Sequence, residues 1–223
     1  MDYQIKGTTM QSLHITLNQN ESIYSETGAL LYMTPAIEME TNFSGGLGGM
    51  FKRAITGNSL ALNNFKATHG TGEVSFSTRM PGHILPIQLD DDIFVQRHSF
   101  LCAENSVNLT VVGNLGMTGF FGGNGLIYNK LTGHGTAFIS VDGEAIETTL
   151  RPNETYLVHP GHLAAYDSNV DFELHRLKGF KNMVFGGDGI FLAKLTGPGK
   201  IWLHTLSLHG LAEVLIPFVD RGK

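Results

Sequence analysis

Residues 120–135, FFGGNGLIYNKLTGHG, return as residues 184–199, VFGGDGIFLAKLTGPG, with nine of the sixteen positions identical and five of those glycine. A stretch this rich in glycine is either a loop that cradles phosphate or a turn used twice. The phosphate loop needs G-x-x-x-x-G-K-[ST] between a strand and a helix. Lys130 and Lys194 do not directly follow a glycine, and no helical pattern follows either of them. The dinucleotide fingerprint fails as well, lacking its third glycine and a βαβ unit. The turn reading stands. Glycine takes a positive φ at little cost, and Asn124 and Asp188 belong to the residue types that bond their own backbone and tolerate the left-handed region. The corner glycines assigned in this way are Gly122, Gly123, Gly125, Gly133 and Gly135 in one stretch, and Gly186, Gly187, Gly189, Gly197 and Gly199 in the other.

Working outward, three segments align without a gap: IYSETGALLYMTPAIEM from Ile23, IFVQRHSFLCAENSVNL from Ile93 and YLVHPGHLAAYDSNVDF from Tyr156. Leu30, Phe100 and Leu163 coincide; so do Leu31, Leu101 and Ala164, and Ile37, Val107 and Val170. Each segment is preceded by a short alternating run (LHITL, ILPIQL, AIETTL) and a polar turn (NQNES, DDD, RPNET). Each is followed by a glycine-rich stretch and a strand closed by G-x-G, at Gly70/Gly72, Gly133/Gly135 and Gly197/Gly199. Period-2 alternation in SLHITL, GEVSFS and KIWLHTLSL marks strands with one buried face. No amphipathic helix is evident. The sequence therefore predicts an all-β chain: one compact domain over residues 1–223, made of three tandem β-sandwich-like repeats at about 10–80, 81–144 and 145–209, with a tail GLAEVLIPFVDRGK.

The composition is globular, 42% hydrophobic and 16% charged, and the net charge of -5 argues against a general binder of nucleic-acid backbone. The single cysteine, Cys102, excludes an intrachain disulfide and a multi-cysteine zinc site. Its apolar setting, FLCA, predicts a buried and inert thiol. MDYQIKGTTMQSLHITL has no continuous apolar core of a signal peptide, and no window approaches the roughly 18 apolar residues of a spanning helix. A cytoplasmic protein is the expectation.

The runs PGHILPIQL, FLCAENSV, GFFGGNGLIYNKLTGHGTAFISVDG, LRPNETYLVHPGHLAAYDSNV and FGGDGIFLAKLTGPGKIWLHTLS together resemble the altered-inheritance-of-mitochondria family, from about residue 12 to 209. FFGGNG, GHLAAYD and KLTGPGKIWLHT are the most specific parts. The resemblance implies three similar β-sandwich units about a pseudo-threefold axis within one chain, a fold related to the tryptophan RNA-binding attenuation protein, and further assembly into oligomers. The fungal member is linked to mitochondrial inner-membrane organisation, and the resemblance carries no catalytic residue onto any position here. Mitochondrial members have a targeting segment, whereas this chain starts at MDYQIKG without an Arg-rich, acid-poor leader. A bacterial cytoplasmic homologue is expected.

Ten histidines raise the question of a metal. His159 and His162 flank a Pro-Gly turn; His69, His98, His134 and His175 are scattered, and no H-x-H occurs. His159 aligns with Gln96 and Glu26, and His162 with Ser99 and Ala29, so hydrogen-bonded or surface histidines are expected, with no metal and no cofactor. Asp90, Asp91 and Asp92 read as a solvated turn. Lys130 and Lys194 read as exposed strand-end lysines, with a symmetric anion site as the alternative. No G-x-S-x-G elbow occurs. The loops GGLGGMF (45–51) and GNLGMTGFFGG (113–123) place Met117, Phe120 and Phe121 either on an interaction surface or folded back as caps. The function expected is a non-catalytic β scaffold, homo-oligomeric, that presents a binding surface to a protein or membrane-associated partner. The alternatives are a small-ligand binder or enzyme using a cleft between repeats, with His134, His159 or His162 as polar contacts, and an RNA-binding module by analogy of fold.

Overall fold

The computed structural model describes residues 1–42, 62–112, 127–176 and 191–218. An opening strand, β1 (Asp2–Lys6), precedes six strands: β2 (Ser12–Leu17), β3 (Ser22–Glu26), β4 (Leu30–Met33), β5 (Ile37–Asn42), β6 (Leu62–Ala67) and β7 (Gly72–Ser77). Six more follow as β8 (Gly82–Leu89), β9 (Ile93–Gln96), β10 (Phe100–Glu104), β11 (Val107–Val112), β12 (Tyr128–Gly133) and β13 (Gly135–Asp142). The last six are β14 (Ala145–Leu150), β15 (Thr155–Val158), β16 (Leu163–Asp167), β17 (Asp171–Arg176), β18 (Phe191–Thr196) and β19 (Gly199–His204). Among the described residues the chain is all-β apart from short 3-10 turns and one C-terminal helix, α1 (Leu208–Leu215).

Among the described residues all pairs of these strands are antiparallel, and their order is the same in each set of six. The first strand pairs with the last and the last with the third, as in β2–β7–β4, β8–β13–β10 and β14–β19–β16. The second pairs with the fifth and the fifth with the fourth, as in β3–β6–β5, β9–β12–β11 and β15–β18–β17. Neighbouring sets are stitched by β3–β10 and β9–β16. Among the described residues four sheets result, of four, six, six and three strands, with β1 added outside β2.

Three apolar cores lie between consecutive sheets. Leu13, Ile15, Phe65, Val74, Phe76 and Phe138 fill the first; Val95, Phe100, Leu131, Ile139 and Trp202 the second; Tyr128, Leu163, Tyr166, Leu195 and Ile201 the third. The alternation in SLHITL does what a half-buried strand requires, with Leu13, Ile15 and Leu17 inside and the residues between them partly exposed. The ladder slips by one residue after Leu30, after Phe100 and after Leu163. Such a bulge reverses which face each later residue meets.

The G-x-G corners join β6 to β7, β12 to β13 and β18 to β19. Gly133 has φ +104°, Gly135 +130° and Gly199 +143°, whereas Gly197 enters its corner through a cis bond to Pro198. A side-chain oxygen holds each corner closed. The backbone N–H of Glu73 donates to Thr34 Oγ1 at 3.0 Å, that of Thr136 to Glu104 Oε2 at 2.7 Å, and that of Lys200 to Asp167 Oδ2 at 2.7 Å. Thr34, Glu104 and Asp167 occupy the same position in the three aligned segments. Gly122, Gly123, Gly125, Gly186, Gly187 and Gly189, with Met117, Phe120 and Phe121, lie outside the described residues.

Two elements differ from the sequence expectation. Residues 2–6 form a strand: DYQIK is mostly exposed, but Tyr3 meets the Phe138 ring edge-on with centroids 4.9 Å apart, and Ile5 packs against the first core. The tail opens with a helix: Ser207 Oγ accepts from the Gly210 N–H at 3.1 Å and caps it. Eight residues with a glycine inside fall below the length at which periodicity becomes visible.

Candidate functional site

Three groups of polar side chains stand out. The first lies where β3 ends. Glu26 is buried at 7% exposure, and Arg79 Nη2 stands 3.3 Å from its Oε1 while also donating to the Thr27 carbonyl. Burial raises the Glu26 carboxyl to about 7, against the opposing pull of Arg79 and then Arg97. At the rim, partial burial of the His98 ring, with the Arg97 and Arg79 charges, holds that imidazole below its usual value. A carboxyl that exchanges its proton near neutrality beside two guanidiniums is suited to proton-linked binding of an anion.

The second group is the histidine cluster. The structure brings His159 and His162 together, ring centroids 5.5 Å apart, and adds His204 at 6.0 Å from His162. His159 Nδ1 accepts from the Gly161 N–H at 3.2 Å, and His162 donates from Nδ1 to the His204 carbonyl at 2.7 Å. Burial, then the neighbouring His162, hold the His204 imidazole down to about 4. Burial lowers His159 as well, and the charges of His209 and Glu213 on α1 act on it in opposite senses. Among the described residues no three His, Cys, Asp or Glu side chains converge as metal ligands. His134 stands exposed on the β12–β13 corner.

The third group was missed by sequence reasoning. On the outer face of the first sheet, Ser12 Oγ is 2.9 Å from His14 Nε2, and His14 Nδ1 is 3.3 Å from Glu73 Oε1 and 3.0 Å from the Tyr32 hydroxyl. Tyr32 also donates to Glu73. With its proton on Nδ1, His14 accepts from Ser12 and donates toward Glu73, the polarity of a serine–histidine–carboxylate relay. The Tyr32 hydrogen bond, then His14, hold the Glu73 carboxyl low. Oxyanion donors are harder to find, because β2 is laddered to β1 on one side and β7 on the other at Ser12. A serine followed two residues later by histidine on a strand is the only local signal; the carboxylate arrives from β7.

Lys130 pairs with Asp92 at 2.7 Å and Lys194 with Glu173 at 2.9 Å; both lysines lie inside their strands, β12 and β18, and not at the strand ends the sequence suggested. Cys102 is fully buried, and burial raises its thiol well above the usual value. Exposed apolar side chains gather on β4 (Leu31, Tyr32, Met33), β15 (Tyr156, Leu157) and the tail (Leu208, Val214, Leu215, Ile216, Phe218). Among the described residues no helix is long and apolar enough to cross a membrane.

The chain is similar to proteins of known sequence or structure over most of its length. An uncharacterised protein of Streptococcus pyogenes serotype M6 is 24% identical over 220 residues, covering 95% of this chain and 88% of that protein. A crystal structure of another Streptococcus pyogenes protein superposes with a TM-score of 0.80 at 21% identity, covering 98% of this chain and 99% of that one, a likeness of fold. The model of the family described as Mitochondrial biogenesis AIM24 matches residues 3–206, and the chain belongs to that family.

Proposed function

We propose that the chain is a non-catalytic β scaffold of three equivalent units about a pseudo-threefold axis, which self-assembles in the cytoplasm and presents a binding surface. One observation carries this reading: the positions that recur are architectural. The corner glycines, the bulges after Leu30, Phe100 and Leu163, and the oxygen at Thr34, Glu104 and Asp167 are reused. The polar groups are not. Glu26, Gln96 and His159 occupy one aligned position with three different chemistries. Exposed apolar strands supply the surface, and a second copy of the chain is the first partner; a protein or membrane-associated partner is the next. The acidic balance disfavours RNA, and no cofactor is required. Gel filtration coupled to light scattering tests the reading. Oligomers are expected at micromolar concentration, and a strict monomer throughout that range would remove the assembly.

The Ser12–His14–Glu73 relay is the observation that favours a hydrolase instead. A fluorophosphonate probe decides between them. Labelling of Ser12 in the parent that is abolished by Ser12→Ala would establish the enzyme, and unlabelled protein supports the scaffold.

A further inference from the structure

The two junctions between strand sets share one register. In the first, Ser25 faces Cys102, Tyr24 faces Ala103 and Ile23 faces Glu104. In the second, Val95 faces Ala165, Phe94 faces Tyr166 and Ile93 faces Asp167. In the aligned segments Ser25, Val95 and Val158 are one position, and Tyr32, Cys102 and Ala165 are another. The same rule written a third time pairs Val158 with Tyr32, Leu157 with Met33 and Tyr156 with Thr34.

That third junction is open. Among the described residues β4 pairs only with β7, and β15 only with β18. The exposures follow. Leu31 is 52% exposed where its equivalents Leu101 and Ala164 are 2% and 0%. Met33 is 38% exposed against 0% for Ala103 and 4% for Tyr166, and Leu157 is 52% against 2% for Tyr24. The side chains that a neighbouring strand covers at two junctions stand in solvent at the third. An apolar edge with free backbone donors and acceptors is a template for another strand.

We propose that β15 of one copy adds antiparallel to β4 of a second copy, in the register Tyr32↔Val158, Met33↔Leu157, Thr34↔Tyr156. This rests on the self-assembling scaffold reading and names its contact. The contact is heterologous, since each copy offers one β4 and one β15, so association runs head to tail until a ring closes or a filament grows. Apolar side chains at the contact replace the water that now covers Leu157, Met33 and Tyr156.

Cysteine pairing tests the register, with buried Cys102 as the only other thiol. Strands paired as proposed bring the Cα atoms of facing residues within the range a disulfide spans. Met33→Cys and Leu157→Cys are made in separate chains of different tag mass, mixed and mildly oxidised. The expected product is a disulfide-linked pair holding one of each variant, with little linkage when either is oxidised alone. A chain carrying both cysteines that links only within itself, while the mixture gives no pair, would mean that the chain closes on its own edge and would overturn the proposal. Oligomers by light scattering without the mixed disulfide would overturn the register and leave the scaffold reading standing; a strict monomer would overturn both. Leu157→Lys, placed on an exposed side chain, should weaken association by roughly tenfold or more with an unchanged far-UV spectrum. Unchanged association of that folded variant would also overturn the proposal.

Discussion

Asp167 accepts a hydrogen bond from the Lys200 backbone N–H at 2.7 Å, and the residue just before Lys200, Gly199, has no room for a side chain. A Cβ there would stand 2.7 Å from Val170 Cγ2 and 3.2 Å from Asp167 Cβ, at φ +143°. Gly135 repeats the arrangement at Glu104, where a Cβ would come within 2.6 Å of Oε2. Glycine recurs at these corners for two separate reasons: the backbone angle and the approach of the acceptor that closes the turn.

Gly199→Val and Gly135→Val are therefore expected to lose about 2–4 kcal/mol, combining backbone strain with a clash. Gly70 has φ +90° with nothing within 4 Å of its Cβ position, so Gly70→Ala isolates the strain and should lose about 1 kcal/mol. Urea midpoints compare the three, and a Gly199→Val protein that unfolds with the parent would refute the close approach.

Glu104 supplies the acceptor for the Thr136 N–H, so Glu104→Leu leaves that donor without its partner and should cost about 1–3 kcal/mol. Glu104→Gln keeps an oxygen in place and should retain most of the stability. Equal thermal midpoints for the two variants would show that the hydrogen bond contributes nothing.

His204 and Glu26 give pH dependences of opposite sign. His204 is held down to about 4 from an ordinary 6.5, so the folded state resists its protonation. Its contribution is complete above pH 6.5 and is lost as pH falls toward 4, up to about 3 kcal/mol. Glu26 is raised to about 7 from an ordinary 4.5, so its contribution is complete below pH 4.5 and is lost as pH rises through 7, by up to about 3 kcal/mol. Stability measured against pH for the parent, His204→Gln and Glu26→Gln should show the two slopes separately. A parent-minus-variant difference that stays flat from pH 4 to 7 would contradict the assignment for that residue.

Cys102 should be silent toward a thiol-reactive dye in the folded protein and react fully once the chain is unfolded in denaturant, because burial disfavours the thiolate. Rapid native-state labelling would mean that the β10 wall opens readily.

The strands were legible where one face is apolar and the other polar, as in SLHITL and GEVSFS, and the turns where glycine or asparagine takes a positive φ, as at Asn20 and Asn153. What escaped was whatever depends on a neighbour. Strand β1 forms because β2 offers it an edge, and its own apolar contribution is limited to Tyr3 and Ile5, too short a pattern to read in the sequence. Ser12, His14 and Glu73 meet only once β2 and β7 are side by side. Glu26 looks like an ordinary turn-adjacent carboxylate until the fold removes its water. The histidines of the His159–His162 turn were visible as a pair, but His204 joins them through the packing of β19 on β16.

The slip after Phe100 has an effect on the molecule as a whole. Phe100 and Ala103 look into one core, Leu101 and Cys102 into the one before it. Leu163 and Tyr166 divide from Ala164 and Ala165 in the same way. A single strand is thus a party wall with a tenant on each side. Cutting the chain into its thirds would leave every piece with a naked partition, so the three cores should melt together, in one calorimetric transition.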